Sequence, residues 1–257
     1  LARCQHCDGP FVVFGEAHGK ASDGIIYFGG IFLMEIEKEA ALVLLDTAFD
    51  NNLISNKKME KKAIEFAKGL GSERDYVQLS ERKTEAIALG NQGMTYWNNG
   101  DLNKAVSSFE EALELFEVME DEQGLAVTHQ QLGTLHYLRG NLDMAEPLLT
   151  SALDHYQQRQ MQEDLVVCYG ILGSISLDRE NYAKAETIFG HALRAAKYLG
   201  RNDMISKVLE SLGDVYSKTE RPQRARVAYT ESLKLAVESG NSDQAEQVRS
   251  KINRLDN

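Results

Sequence analysis

The chain has 257 residues, only three of them proline, and 26% of its residues are charged, with a formal net charge of −11. This acidic balance excludes nucleic acid and anionic membranes as main partners, because phosphate binding requires clustered Lys and Arg. Scarce proline favours a mostly helical protein, and three cysteines provide no disulfide framework, which favours a reducing, cytoplasmic compartment.

No membrane insertion is expected from the sequence. The most apolar run, Ile25 to Ile36, is too short to span a bilayer and is followed by charged residues. No secretory signal precedes it, and the chain begins with Leu1 rather than Met, which leaves room for a missing upstream segment.

Residues 1–32 differ from the rest of the chain because they are rich in glycine. Two β-prone runs, Pro10–Phe14 and Ile25–Phe28, are separated by turn-forming residues, so the sequence predicts a small irregular or β-hairpin segment. A lone hairpin is marginally stable in water and is expected to dock on the first helices or on a partner chain. Self-association through this segment therefore stays open.

Cys4 and Cys7 form a Cys-x-x-Cys pair, to which His6 or His18 could add a third zinc ligand. A closed structural site needs four ligands, and no second Cys-x-x-Cys pair follows. A redox pair is the other alternative, but the thioredoxin-like βαβ pattern is missing. We favour ordinary reduced cysteines and expect no metal or cofactor.

Residues 33–85 are predicted to form N-terminal capping helices, the first from about Phe32 to Phe49 and the second from about Asn56 to Lys68. Ala63–Gly71 is similar in sequence to Ala192–Gly200. We therefore interpret the second helix as part of a degenerate repeat, which would cover the outer apolar side of the first complete repeat.

Residues 86–242 contain four copies of one pattern with a period of 40 residues. Each copy is marked by a glycine, and these are Gly93, Gly133, Gly173 and Gly213. Twelve residues after each glycine comes an alanine, and four further on a large apolar or aromatic residue. The segment between them reads as a turn, in which Gly140 suits the left-handed end of a helix and Pro222 the first residue of the next. Each copy is therefore predicted to be two antiparallel helices, A and B.

This pattern resembles the tetratricopeptide repeat over roughly two thirds of the chain, from near Ala86 to the end. The Leu-Gly of the family frame is matched by Leu132-Gly133, and the later Ala and Phe by Ala105 and Phe109. His136 departs from the frame, because the family usually has an aromatic there. The resemblance implies an all-α, right-handed solenoid of antiparallel helix pairs, and the period of 40 rather than the common 34 implies the long-repeat type.

The last segment, residues 243–257, is predicted to be a C-terminal capping helix. Asp243-x-x-Glu246 suits a helix start. The residues after it place one apolar stripe on the helix, formed by Ala245, Val248, Ile252 and Leu255.

The resemblance also implies a binding site, because helix A lines a concave groove in this family. Positions at which the four copies differ are the candidate contacts: Met94, Trp97, Asn98, Gln130, Thr134, Tyr137, Ser174, Asp178, Glu210, Asp214 and Lys218. This set runs from aromatic to acidic, so the ligand is expected to carry an apolar anchor and a basic stretch. The alternative is that Trp97 and Tyr137 pack between repeats and that the acids are a solvated face.

The sequence favours a scaffold or adaptor that binds a protein or peptide in this groove. The alternative is the peptide-sensing domain of a signalling or transcription regulator. Enzyme activity is not expected, since the chain has no phosphate loop and no Gly-x-Ser-x-Gly. Cys168 lies in an apolar stretch and is interpreted as buried packing.

Overall fold

The computed structural model describes residues 2–3, 10–11, 25–28, 31–34, 38–50, 57–69, 71 and 75–255. The strands within these ranges are β1 (Ala2–Arg3), β2 (Pro10–Phe11), β3 (Ile25–Phe28) and β4 (Ile31–Met34). The helices are α1 (Lys38–Asp50), α2 (Lys57–Gly69), α3 (Tyr76–Asn98), α4 (Leu102–Met119), α5 (Glu122–Leu138), α6 (Leu142–Arg159), α7 (Gln162–Asp178), α8 (Tyr182–Leu199), α9 (Asn202–Lys218), α10 (Pro222–Glu238) and α11 (Ser242–Arg254).

The strand pairing differs from the prediction. β3 pairs antiparallel with β4, with Ile25 opposite Met34, and β2 pairs with β1. The predicted hairpin between Pro10–Phe14 and Ile25–Phe28 is therefore wrong, although β-hairpin pairing itself is present. The first helix begins at Lys38 rather than near Phe32, because Ile31–Met34 forms a strand. The sequence alone could not show this, since an apolar run of this length fits a strand as well as a helix.

The chain divides into two compact units, residues 1–86 with 117–121 and residues 87–116 with 122–257. In the first unit α1 contacts α2, and α2 contacts β3, one strand of the β3–β4 pair. Small side chains dominate the buried positions of this unit, among them Ala48, Ala63, Ala67 and Ala86.

The second unit is a stack of antiparallel helix pairs. Each helix from α5 onward packs against the next one in the chain. Alternate helices begin at intervals of 40 residues: α5, α7, α9 and α11 begin at Glu122, Gln162, Asn202 and Ser242. We call α3, α5, α7 and α9 the A helices and α4, α6, α8 and α10 the B helices. The predicted all-α solenoid is confirmed.

The repeated glycines lie where the A and B helices cross. A Cβ atom added to Gly93 would lie 2.8 Å from the Phe109 ring, and one added to Gly173 would lie 2.6 Å from the Phe189 ring. The alanines that follow the glycines are fully buried, and these are Ala105, Ala145, Ala185 and Ala225. The crossing therefore has no room for a larger side chain at either position.

The turns between A and B helices share one backbone conformation. Gly100 and Gly140 have φ values of 81° and 76°, as the sequence predicts. Glu180 and Glu220 adopt the same left-handed region at 57° and 55°. A non-glycine residue there costs on the order of 1 kcal/mol, so packing of the repeat imposes this turn even where the sequence does not favour it. Pro222 is the first residue of α10, as predicted.

Ion pairs connect successive helix pairs from α6 to α11, and in those named here the cation comes from the later pair. They join Arg179 and Lys184 to Glu146, Arg201 to Glu163, Arg221 to Glu186, and Lys251 to Glu210 and Asp214. The pairs of Lys184, Arg201, Arg221 and Lys251 have N···O distances between 2.7 and 3.0 Å. Each pair spans 33 to 41 residues of sequence and links neighbouring pairs of helices.

Candidate functional site

The A helices form the inner face of the second unit. Helix α5 contacts α7 and α7 contacts α9, whereas successive B helices approach each other less. The side on which neighbours are closer is the concave side of a stack. We define the inner face by five positions of each A helix: six and three residues before the crossing glycine, and one, four and five residues after it.

Exposed apolar side chains cover the inner face from α3 to α7. The exposed fractions are 50% for Ile87, 36% for Met94, 40% for Val127, 55% for Leu138 and 36% for Val167. Exposed apolar side chains that recur on neighbouring helices are a feature of interaction surfaces.

Three of these residues, Ile87, Val127 and Val167, were missed by the sequence analysis. They occupy one position, six residues before the crossing glycine, in three successive repeats. An apolar residue at the same place in several copies looks like a core position, because a sequence does not show which way a helix is turned. The fourth copy has Lys207 at this position. This lysine could have indicated that the position is on the surface, since a lysine is incompatible with a core position.

Trp97 and Tyr137 are half-buried and contribute to packing between repeats. Trp97 packs against the cluster that contains Phe109 and Leu135, and Tyr137 packs against the larger cluster of α6 to α9. Burial and the neighbouring Asp178 carboxylate, to which its hydroxyl bonds, raise the pKa of Tyr137. Each aromatic side chain therefore has one side in the core and one edge on the inner face.

Between these apolar side chains, Thr134 of α5 and Ser174 of α7 add uncharged polar groups to the inner face. Thr134 Oγ1 donates a hydrogen bond of 2.6 Å to the Gln130 carbonyl oxygen, and Ser174 Oγ donates one of 3.0 Å to the Gly170 carbonyl oxygen. Both hydroxyls have used their proton within their own helix, so they can offer a ligand only an acceptor. Asn98, at the end of α3, is exposed.

Two further glycines lie on the inner face, and the fold does not require them. A Cβ atom added to Gly90 or Gly170 would meet nothing within 4 Å. Glycine inside a helix costs about 1 kcal/mol relative to alanine. No packing contact within the protein offsets this cost at Gly90 and Gly170. The helix backbone at both positions is open to contact by another molecule.

The acidic residues predicted at the C-terminal end of the groove are already paired. Lys251 Nζ of α11 lies 2.8 Å from Glu210 Oε1 and 2.7 Å from Asp214 Oδ2. Gln244 Nε2 donates to Glu210 Oε2 at 3.2 Å, and the Tyr229 hydroxyl donates to Asp214 Oδ1 at 2.7 Å. Burial opposes the charged form of Lys251, but the two carboxylates outweigh it and raise the pKa of Lys251.

Glu210 and Asp214 therefore already have partners within the protein. The basic ligand stretch expected from the sequence would not find them as free acidic contacts. Glu210 is only 8% exposed and faces Gln244 and Lys251 rather than solvent. The sequence shows four repeats with acids at one end, but it does not show that Lys251, some 40 residues later, reaches back to them.

A pocket of about 480 Å³ lies on the C-terminal part of the inner face, between α7, α9 and α11. It brings together three predicted contacts, Asp178, Asp214 and Lys218, with Lys251 and Arg254 of α11. Among the residues that the structure describes, Lys218 and Arg254 have no hydrogen-bond or ion-pair partner. Asp178 and Glu180 also line the pocket, so it presents carboxylates as well as cations.

Chemistry-bearing groups outside the inner face are few. Cys168 is fully buried, and burial raises the pKa of its thiol to about 12, so the protonated thiol fills space in the core. Within the described ranges no group of three or more His, Cys, Asp and Glu residues could hold a metal ion. Cys4, Cys7 and His18 lie outside the described residues, and the zinc interpretation stays a prediction.

Comparison with known proteins places this arrangement in a family. A family model described as tetratricopeptide repeat matches residues 84–158 and 168–236, which is more than half of the chain. The chain belongs to the tetratricopeptide repeat family. A comparison with curated protein sequences found no match. None of the helices among the described residues is long and apolar enough to cross a membrane.

Several solved structures are similar to this chain in fold. BtubC from P. vanneervenii is 18% identical, with a TM-score of 0.53, over 84% of this chain and 80% of that chain. A Rap protein in complex with competence and sporulation factor is 18% identical, with a TM-score of 0.58, over 85% and 71% of the two chains. A signal transduction ATPase with numerous domains and a tetratricopeptide repeat sensor, from Pyrococcus horikoshii, is 17% identical, with a TM-score of 0.60, over 82% and 30%. At these identities the likeness is one of fold.

Proposed function

We propose that this protein binds an extended segment or a helix of a partner protein along the inner face of its repeat stack. The observation that carries the proposal is the exposed apolar side chains at repeated positions of α3, α5 and α7. Scattered apolar residues are normal on a protein surface, but a set on one concave side of neighbouring helices forms a continuous docking surface.

The binding mode refines the prediction from sequence. We keep the apolar anchor of the ligand. We propose that it contacts Ile87, Met94, Val127 and Leu138 as much as Trp97 and Tyr137. The basic stretch is dropped, because Glu210 and Asp214 already share Lys251 as a partner within the protein. We also propose that the chain is of the long-repeat type, in keeping with the 40-residue spacing of its helices. The cytoplasmic location expected from the cysteine content and the self-association through residues 1–32 stay predictions.

A peptide-sensing role within a regulator is the second candidate. It is favoured by the similarity in fold to a Rap protein solved with a peptide factor and to an ATPase with a tetratricopeptide repeat sensor. Both candidates use the same inner face, and they differ in whether the natural ligand is a free peptide or part of a larger protein.

The test is selection of random 12-residue peptides displayed on phage against the intact protein. Peptides selected by the wild type should lose at least tenfold in affinity for Val127→Asp, because the carboxylate would lie in the apolar part of the inner face. The matched control is Val227→Asp, since Val227 is 67% exposed but lies on the B helix α10. Equal loss with both variants, or no enrichment of any peptide, would refute the proposed function.

A further inference from the structure

A row of charged residues lies along the outer side of the stack, and its signs are ordered. One exposed position of each B helix, nine residues after the buried alanine, carries a charge. These residues are Glu114 of α4, Asp154 of α6, Arg194 of α8 and Lys234 of α10, and we call them the outer row. Along the stack, two acids are therefore followed by two bases.

The outer row lies on the side of the B helices that faces away from the core. Asp154 is two residues from Ala152 and from Tyr156, both of which are fully buried. Two residues turn a helix by about 200°, so Asp154 points away from the core. The other members of the row also have buried residues two positions before and after them: Ala112 and Phe116, Ala192 and Ala196, and Ser232 and Ala236.

Within the described part of the chain, the members of the outer row lack a close partner of opposite charge. Glu114 and Asp154 take part in no ion pair there. Nη2 of Arg194 lies 2.8 Å from Nδ1 of His191, a ring that carries no negative charge, and Nζ of Lys234 lies 3.9 Å from Glu238. The row is therefore available to opposite charges on another molecule.

A second copy of the chain offers the same charges in the reverse order. A two-fold axis that lies between α6 and α8, parallel to the helices, keeps the direction of each helix and reverses their order. It therefore places α6 opposite α8 of the second copy, and α4 opposite α10. Equivalent positions of the repeats lie at the same level, so Asp154 faces Arg194 of the second copy and Glu114 faces Lys234. An axis along the stack would instead place each helix against its own counterpart, with acids near acids.

We propose that a second copy of the chain docks on the outer sides of α6 and α8 through this two-fold axis, with Asp154 of each copy bound to Arg194 of the other. The outer side is the convex side of the stack, so the two central helices make the contact. Helices α4 and α10 lie farther from the axis and add attraction between Glu114 and Lys234 at longer range. The proposal does not depend on the ligand of the inner face, which stays open in both copies.

The neighbours of the central charge pair fit the same contact. One turn before it, Thr150 meets Gly190, where an added Cβ atom would have nothing within 4 Å, so the two helices can approach each other closely. One turn after it, Gln158 meets Tyr198, whose side chain is 81% exposed in the single chain. Tyrosine is enriched in protein interfaces, because its ring buries a large apolar area and its hydroxyl can bond to a polar group.

The test is sedimentation velocity of the intact chain over a range of concentrations. We expect a monomer–dimer equilibrium whose dissociation constant rises at least tenfold in Asp154→Arg and in Arg194→Asp, because like charges then meet twice in each dimer. The first variant reduces the net negative charge of the chain and the second increases it. A general effect of net charge would therefore act in opposite directions on the two variants.

Opposite charges can be restored in two ways. An equimolar mixture of Asp154→Arg and Arg194→Asp should form a heterodimer, because each new charge then meets an opposite charge of the other variant. The double variant Asp154→Arg/Arg194→Asp should dimerise alone with close to wild-type affinity. The matched control is Lys207→Asp, which makes the same change in charge as Arg194→Asp on the inner face of α9 and should leave the dissociation constant unchanged. Circular dichroism checks that each variant keeps its helices.

Four outcomes would overturn the inference. The first is a wild type that is still monomeric at about 100 μM, a concentration at which even a weak specific interface should form. The second is a pair of single variants that dimerise as tightly as the wild type, and the third is a mixture of the two that forms no heterodimer. The fourth is growth beyond the dimer, since a closed two-fold contact ends at two copies. The proposed function concerns the inner face and would stand in each case.

Discussion

Two glycines of α7 that lie three residues apart should respond in opposite ways to alanine. Gly173 lies at the crossing with α8, where an added Cβ would be 2.6 Å from Cε1 and 2.7 Å from Cδ1 of Phe189. Phe189 is 1% exposed and is packed on every side, so its ring can retreat only by disturbing the core. Gly170 faces open space on the inner face.

The magnitudes follow from two opposing effects. Replacing a glycine inside a helix by alanine stabilises it by about 1 kcal/mol. Overpacking a dense core costs about 1–3 kcal/mol. Gly170→Ala should therefore raise the free energy of unfolding by about 1 kcal/mol, because only the helical gain applies. Gly173→Ala should lower it by up to about 2 kcal/mol, and should be about 1–3 kcal/mol less stable than Gly170→Ala, because the clash with Phe189 offsets or exceeds that gain.

The measurement is urea unfolding of the intact chain, followed by circular dichroism at the helical minimum. Both variants should keep the wild-type m-value, since the surface exposed on unfolding is unchanged. Gly190→Ala is the reference for a helix gain without a ligand-facing position. A Gly173→Ala variant as stable as Gly170→Ala would show that the crossing has room for a Cβ atom, and a destabilised Gly170→Ala would show that the inner-face glycine serves the fold.

Two further predictions concern the ion pairs. Replacing Lys251 by Met should destabilise α9 to α11 by about 1–3 kcal/mol, because the buried Glu210 and the nearby Asp214 lose their cation. Amide hydrogen exchange should become faster in these helices but not in α5. Unchanged exchange in α9 to α11 would contradict this prediction. Hydrogen bonds from Lys184 and Arg179 lower the pKa of Glu146 in the folded protein. These ion pairs therefore contribute stability at neutral pH, and this contribution is lost as the pH falls below about 4.3. The difference in urea midpoint between wild type and Glu146→Gln should shrink towards acid, and a constant difference would refute the assignment.

The repeat architecture could be predicted from sequence because its marks are local and recur four times. A glycine and an alanine twelve residues apart fix the crossing, and the turn between them follows from their spacing. The N-terminal strands could not be paired correctly, since a run such as Ile25–Ile36 has no period that separates helix from strand. Only one copy of that segment exists, so no second example was available to resolve the ambiguity.

The candidate site was predicted less well than the fold, for two physical reasons. Whether Val127 faces the core or the groove depends on the rotation of α5 within the stack, which neighbouring helices decide. Whether Glu210 is available to a ligand depends on Lys251, which lies far along the chain and reaches it only in the folded stack. Sequence comparison between repeats finds the variable positions but does not reveal which of them are paired with one another.

The common direction of the inter-repeat ion pairs gives the stack an electrostatic polarity. Glu146 occupies in its repeat the place that Glu186 has in the next, so deletion of one 40-residue copy would still bring Arg221 to an acid. Duplication of the copy that contains Glu186 would likewise join acid to cation, because Arg179 and Lys184 of the second copy would meet Glu186 of the first. The array could thus have lengthened or shortened one repeat at a time during evolution, with Lys251 supplying at its end the charge that another repeat would have brought.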